Sequence, residues 1–404
     1  MCPNPLEVAL FFPRITVHSG GVERTLKVIE YSDQVGIRFT AFISPDVIRS
    51  PEVMRRLESL TQSDRLRLRS PGSNRSDPVS YDAILIPSEF WLPALKRARK
   101  EGIKAPVFIE FHQLPYIGTF DVLKTIGVDQ PGTLDLFRLP FVASKVLGDV
   151  VPFFAFQTFA CVSSVRSLSR FRDGHVMAVT GVTSKNLQAL GYDGRLFVPK
   201  VHVGIEPDSI RPTNGSKPEI QYDGVYVGRF HPHKGFLDLP RIVARMKKAL
   251  GRKVNIAVCG SPQFPRHLAA FEKRAKAFGV EENLTMLQWL PRDELYATIR
   301  RSRVLLYPSY VDAFSITVLE SLCLGVPVLA YGIDALEMIW SDKRGVFLSP
   351  VGDTDALATK YAELDHESRF EDARREARKQ VGRLVEEFSW GRAVEEERVF
   401  LERG

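Results

Sequence analysis

Cysteine is scarce in this chain: four residues in 404, Cys2, Cys161, Cys259 and Cys323. They are scattered and form no Cys-x-x-Cys pair, which argues against a disulfide framework or a cysteine zinc site and for a reducing compartment, the cytoplasm. Long apolar runs are also missing. No window approaches the ~18 uncharged apolar residues of a membrane-spanning helix. The first residues, MCPNPLEVALFFPR, put no basic segment ahead of their apolar run, so a secretory signal is not expected. No Gly-x-Gly-x-x-Gly follows the first strand, so the nicotinamide-dinucleotide fingerprint is absent there. No aromatic-basic RNA signature or other nucleic-acid module is present, and a nucleic-acid partner is not expected.

What is present is the composition of a globular protein, 44% apolar and 25% charged, in a chain long enough for two domains. The net charge of +7 lies almost entirely in residues 1–200. Basic residues cluster at Lys96, Arg97, Arg99, Lys100 and Lys104, and again at Arg166, Arg170 and Arg172. Such clusters suit an anionic membrane or a phosphorylated substrate, and equally a solvated helix face. Leu139–Ser164 is strongly apolar but is interrupted by Lys145, Asp149 and Pro152. It fails as a membrane span and reads as buried core or as an interfacial surface.

Short apolar strands alternate with helical segments throughout, which predicts parallel sheets. In the first half, strands are expected at Glu7–Phe12, Ile37–Ile43, Arg65–Arg69, Asp82–Ile86 and Pro106–Phe111, with helices at Gly21–Tyr31, Ile48–Leu60 and Trp91–Glu101. In the second, strands at Gly224–Val227, Lys253–Val258, Leu284–Gln288, Val304–Tyr307, Pro327–Ala330 and Gly345–Leu348 alternate with helices near 236–249, 266–278, 292–301, 316–324, 334–340 and 354–365. Each half therefore reads as α/β and Rossmann-like. The segment Gly204–Asp223, rich in Pro, Gly, Ser and Asn, reads as the linker. The expected domains are residues 1–205 and 206–385, with 386–404 returning to the first. Leu384–Glu402 reads as one C-terminal helix.

Four groups of residues invite chemistry. Gly228–Gly235 (GRFHPHKG) follows a strand and presents Arg229 and Lys234 between glycines, a loop suited to a diphosphate or to a solvated polar turn. His231 and His233 flank a proline with no nearby acid or cysteine, so no metal site is expected. Asp312 and Glu320 stand eight positions apart across a strand-end loop and the next helix. Asp312 fits a ligand contact or a helix cap. Glu320, in an apolar helix, needs a partner such as a ribose diol or a cation. The amides of Phe314–Thr317 open that helix and suit a pyrophosphate. In the first half, Gly20-Gly21 lets backbone approach a ligand after the first strand. Glu23 reads as a dipole-favoured first-turn residue, and His112 ends the buried strand of FIEFH as a core, loop or functional residue.

In combination these motifs run in order over nearly the whole chain: GGVER, FIEFH, VTGVTSKNLQALGY, VHVGIEP, VGRFHPHKG, LQWLPRDELYATIRRSRVLLYPS, Asp-x7-Glu followed by GVPV, and FSW. The chain resembles the retaining GT-B glycosyltransferases of glycosyltransferase family 4. The resemblance implies two Rossmann-like domains facing across a cleft, with a C-terminal helix crossing back to the first. It implies transfer of a hexosyl group from a nucleoside-diphosphate sugar to a glycan or lipid-linked acceptor, with retention of configuration and without a metal. Arg229 and Lys234 are implied to bind the donor's diphosphate, and Glu320 to hold the ribose. Asp312 and the amides of Phe314, Ser315 and Ile316 would contact the donor sugar. His112 would lie near the sugar's reacting face, and Gly21 would approach the diphosphate. The sequence departs from the family in having Asp312 where Glu is usual and Ser315 where Gly is common. The basic clusters and the apolar Leu139–Ser164 stretch lead to the expectation of an acceptor at the cytosolic membrane face. Other GT-B chemistries, epimerase or phosphorylase, and a non-catalytic sugar-nucleotide binder are the alternatives.

Overall fold

A computed structural model describes residues 5–13, 15, 20–44, 46–70, 72, 80–88, 91–112, 162–171, 174–210, 219–262, 265–366 and 369–403. The chain divides into two compact units. The first comprises Met1–Ile117, Asp149–Gly204 and Phe388–Gly404; the second comprises Gly118–Gly148 and Ile205–Glu387.

The first unit is built on a parallel sheet of seven strands: β1 Leu6–Leu10, β2 Ile37–Phe42, β3 Leu66–Arg69, β4 Ala83–Ile86, β5 Val107–Phe111, β6 Gly174–Ala178 and β7 Leu196–Phe197. Their spatial order is β3-β2-β1-β4-β5-β6-β7. Side chains alternate across the sheet, as the period of two requires. Val8, Leu10, Leu85 and Phe108 face one layer, which contains Leu26 and Ile29 of helix Gly20–Tyr31 and Val53 and Leu57 of helix Pro51–Gln62. Ala9, Phe11, Ile84 and Ile109 face the other, with Ala94 and Leu95 of helix Trp91–Lys100 and Leu187 of helix Gly181–Ala189. Both faces are covered, which is why the central strands β1, β4 and β5 read as mostly apolar runs.

The C-terminal helix Trp390–Leu401 completes the first layer. Phe400 stands edge-on to Phe108 at 5.1 Å and stacks on Phe197 at 5.4 Å. Burial of a phenylalanine on this scale stabilises by about 1.5–3 kcal/mol. The expected single helix over Leu384–Glu402 is in fact two, Val381–Glu387 and Trp390–Leu401. Ser389 is extended and its side chain accepts from the Arg392 amide, so a capping residue restarts the helix.

The second unit has six parallel strands: β8 Gly224–Val227, β9 Ile256–Cys259, β10 Leu284–Gln288, β11 Leu305–Tyr307, β12 Val328–Tyr331 and β13 Val346–Ser349. Their order is β10-β9-β8-β11-β12-β13. This is the doubly wound order, and its direction reverses between β8 and β11. Helices Leu239–Leu250 and Thr354–Asp365 supply Ile242, Val243, Met246, Leu357 and Tyr361 to its core. Cys259 and Cys323 are buried free thiols. Of the apolar stretch Leu139–Ser164, everything through residue 161 lies outside the described residues. Among the described residues no helix is long and apolar enough to cross a membrane.

Candidate functional site

In an open parallel sheet, ligands collect beyond the strand C-termini where the winding reverses. In the second unit that point lies between β8 and β11, which pair at Val225 and Leu305. The loop after β8 carries Arg229 and Lys234; the loop after β11 carries Asp312 to Ser315.

The β8 loop is held from beneath. Phe230 is buried and stacks on Phe236 at 4.3 Å, and its amide donates to the Ser261 carbonyl at 2.9 Å. Tyr226 donates to the Arg229 carbonyl at 3.0 Å, leaving the Arg229 side chain exposed. Gly235 has φ 67°, and a Cβ there would stand 1.9 Å from the Pro308 carbonyl oxygen. No other residue type fits so close to the neighbouring loop. The Tyr310 amide donates to the His233 carbonyl at 2.8 Å, so the two loops are stitched together by backbone.

Lys234 and Asp312 meet directly. Lys234 Nζ is 2.8 Å from Asp312 Oδ2 and 3.3 Å from the Val311 carbonyl oxygen. Asp312 Oδ2 also accepts from the Tyr307 hydroxyl, and Oδ1 accepts from the Ala313 amide at 2.9 Å. Burial alone would raise the Asp312 pKa; Lys234 and these donors override it and hold the carboxyl below its ordinary value. Asp312 is therefore ionised at neutral pH and engaged at both oxygens. Lys234, expected at the diphosphate, and Asp312, expected at the sugar, thus form an ion pair.

Ser315 precedes helix Ile316–Cys323 and sits in the left-handed region, φ 74° and ψ 66°, with no side-chain cap. A non-glycine residue there costs about 1–2 kcal/mol. This gives a physical reason for glycine at the position. Ser315→Gly is expected to raise stability by about 1 kcal/mol, read as a higher urea midpoint; an unchanged or lower midpoint would show that the hydroxyl outweighs the backbone cost. Phe314 turns its ring into the core, edge-on to Trp340 at 5.3 Å, and its carbonyl accepts from Trp340 Nε1 at 2.7 Å. Any role it has toward a ligand falls to its amide. Ile316 and Thr317 form the first turn of the same helix.

Glu320 is buried one turn further in, and its Oε1 accepts from the Tyr296 hydroxyl at 2.8 Å. Tyr296 belongs to helix Arg292–Arg300. It went unrecognised in the sequence because a buried tyrosine in an amphipathic helix looks like core. His231, His233 and His267 pack ring against ring, at 4.4 and 4.9 Å. Burial first, then His233 and His267, and only then Arg229 and Lys234, push His231 down to about 2; burial and then Lys234 and Arg229 push His233 down to about 3. Among the described residues no group of three or more His, Cys, Asp or Glu is placed to hold a metal ion.

The first unit brings Gly21 and His112 together. A Cβ on Gly21 would stand 3.3 Å from Cγ and Nδ1 of His112, so this glycine lets the first turn of helix Gly20–Tyr31 close on the ring. His112 Nε2 lies 3.4 Å from Glu110 Oε2. Behind it is a charge cluster. Arg24 Nη1 donates to Glu110 Oε1 and Nη2 to Glu397 Oε2, each at 2.7 Å, and Nε donates to the His202 carbonyl at 2.9 Å. The sequence carried a signal for part of this. Glu110 is an acid in the middle of an apolar strand, a placement that demands a partner.

Comparison with known proteins decides the fold. The Anabaena protein HepE, solved in complex with UDP and glucose, superposes with a TM-score of 0.68 at 12% identity, over 99% of this chain and all of that one. Sucrose-phosphate synthase from Thermosynechococcus elongatus gives 0.62 at 14% identity, over 98% of this chain and 99% of that one. The chain has the GT-B fold of glycosyltransferases. Within this GT-B chain, residues 212–381 match the family described as Glycosyl transferases group 1, and that stretch contains both switch-point loops. A D-inositol 3-phosphate glycosyltransferase from Salinispora tropica is 30% identical over 189 residues, 44% of this chain and 38% of its own. One from Corynebacterium glutamicum is 28% identical over 144 residues, 33% of this chain and 34% of its own. The GT-B chain thus spans little more than a third of the curated relatives it matches.

Proposed function

We propose that this protein is a retaining glycosyltransferase of family 4 type that moves a hexosyl group from a nucleoside-diphosphate sugar to a glycan or lipid-linked acceptor. The observation that carries the reading is the convergence, at one switch point, of a two-cation loop, a helix N-terminus without a side-chain cap, and a buried carboxylate. Arg229 and Lys234 bind the diphosphate. The amides of Phe314, Ser315 and Ile316 point their dipoles at the donor. Glu320, already oriented by Tyr296, accepts from the ribose hydroxyls. Asp312 holds Lys234 in place and contributes to the sugar end of the site. Gly21 and His112 serve the diphosphate and the reacting face. The curated relatives are named as glycosyltransferases, and HepE is solved with UDP-glucose, which supports a nucleotide-sugar donor.

The bond from the anomeric carbon to the phosphate oxygen breaks, and the electron pair leaves with the diphosphate. The acceptor hydroxyl attacks the same face and passes its proton to that departing phosphate. The cations stabilise the charge as it develops, each well-placed one lowering the barrier by about 3 kcal/mol. Neither a metal nor another cofactor enters this reading. Release of nucleoside diphosphate, followed with the anomeric proton coupling of the product, tests it: release with the donor's configuration kept is expected. Inversion would refute retention, and no release from any donor would refute transfer.

Glu320→Ala removes a charged acceptor and is expected to weaken donor binding about 10- to 100-fold by calorimetry. A change below threefold would place the ribose elsewhere. The acceptor reading adds a membrane face, because Lys96, Arg99, Lys100, Lys104, Arg166 and Arg170 are all exposed on the first unit. Co-flotation with anionic vesicles, lost in high salt, is expected; failure to float removes the membrane from the account.

A further inference from the structure

Glu110, Arg24 and Glu397 come from β5, from helix Gly20–Tyr31 and from the C-terminal helix, and all three are buried. Two salt bridges of 2.7 Å fix the guanidinium between the two carboxyl groups. Its remaining contacts are the His202 carbonyl and the Met177 sulfur, so four of its five N–H donors are spent on the first unit's interior. One oxygen on each acid, Glu110 Oε2 and Glu397 Oε1, has no donor in hydrogen-bond geometry, and neither has His112 Nε2 an acceptor. Glu110 Oε2 and His112 Nε2 nevertheless stand 3.4 Å apart, and both are enclosed.

We propose that Glu110, with Arg24 and Glu397 behind it, is a positioning residue for His112: it accepts the Nε2 proton of the imidazole, fixes that tautomer and turns the Nδ1 edge toward the Gly21 end of the helix. The proposal rests on the reading of His112 as a site residue. It also gives the C-terminal helix a part in the site, because Glu397 orients the guanidinium that orients Glu110.

The arrangement has the logic of an acid that holds a histidine in one tautomer. Phe108, Glu110 and His112 alternate onto one side of β5, so a strand residue two positions back is the natural support for the ring. The groups that face Glu110 are Arg24 from its helix, Glu397 from the C-terminal helix and His112 from its own strand, with His202 nearby. Burial and then Glu110 raise the Glu397 pKa, so Glu397 is the acid that holds a proton, while Arg24 and then His112 outweigh burial at Glu110 and hold it below its ordinary value. Glu110 is thereby left as the ionised member facing His112.

The test uses the full chain with 15N-labelled histidine. In the wild type the His112 ring is expected in the Nε2-protonated form. In Glu110→Gln the two tautomers mix, and nucleoside diphosphate release falls about tenfold with the donor KM within twofold. Glu110→Asp, which keeps the charge but withdraws it by one methylene, is expected to fall between, and is read in place of Glu110→Gln if that variant does not fold. A His112 spectrum unchanged by either substitution overturns the proposal. A changed spectrum with undiminished release upholds the positioning and contradicts instead the place of His112 in the reaction.

Discussion

On the proposed reading, Lys234→Ala is expected to lower the rate of nucleoside diphosphate release by about 100- to 1000-fold, the loss that follows when one preorganised donor to a developing anion is removed. The side chain is placed by Gly235 behind it and by Asp312 in front of it, at 2.8 Å. Truncation removes the cation and leaves the Asp312 carboxylate, still held by Tyr307 and the Ala313 amide, as uncompensated negative charge at the proposed diphosphate site. Repulsion of the donor adds to the lost attraction. Both kcat and donor affinity should therefore fall. Lys234→Arg keeps the charge but replaces a point cation by a planar fork, and should recover only part of the rate. A loss of less than fivefold in Lys234→Ala would show that Arg229 alone serves the diphosphate.

Arg24→Ala is the substitution with the largest expected effect on stability. Breaking a buried ion pair by deleting one partner costs about 3–5 kcal/mol, because the other charge stays buried. Arg24 serves two acids, Glu110 and Glu397, and deletion leaves both without their cation. Urea denaturation should show a fall of that size, and a fall below about 1 kcal/mol would contradict the account. The same cluster gives stability a pH dependence. Burial and Glu110 raise Glu397 to about 8 from an ordinary 4.5. Between those values the folded state holds a proton that the unfolded state has released, so this contribution is full below about pH 4.5 and is lost as pH rises through about 8. Glu397→Gln cannot titrate and should flatten that decline.

Much of the second unit was readable from the sequence, because its inner strands β8, β9, β11 and β12 are largely buried and its strands are bounded by turns. β8 and β10 and the helices Asp334–Trp340 and Thr354–Asp365 have the expected ends. In the first unit β6 and β7 were missed. β6 opens with Gly174 and His175, and β7 has two residues, too few to show a period. Helix Arg369–Lys379 was missed because it is so rich in charge that only Phe370, Ala373, Arg374 and Ala377 are buried.

At the site, residue types and strand ends were readable, since the glycine-bracketed loop and the acid spacing are local. Pairing was not. Lys234 and Asp312 are 78 positions apart, and Arg24 and Glu397 are 373 apart. The Glu395–Glu397 run looks like a solvated helix face, and only the return of the C-terminal helix to the first unit buries one member of it. Asp312 shows the difference most clearly. Its missing methylene was readable as a departure from the family, but that its carboxylate is committed to Lys234 needed coordinates.

The most direct test of the central claim is a thermal-shift titration of the purified chain with uridine, guanosine and adenosine diphosphate sugars, beside the same titration of Lys234→Ala. Saturation at about 100 times Kd adds about 2.7 kcal/mol, which for a unit of this size corresponds to roughly 5–10 °C. The account predicts such a rise with at least one donor in the wild type and its loss in Lys234→Ala. No shift with any donor, or an equal shift in both proteins, would contradict it.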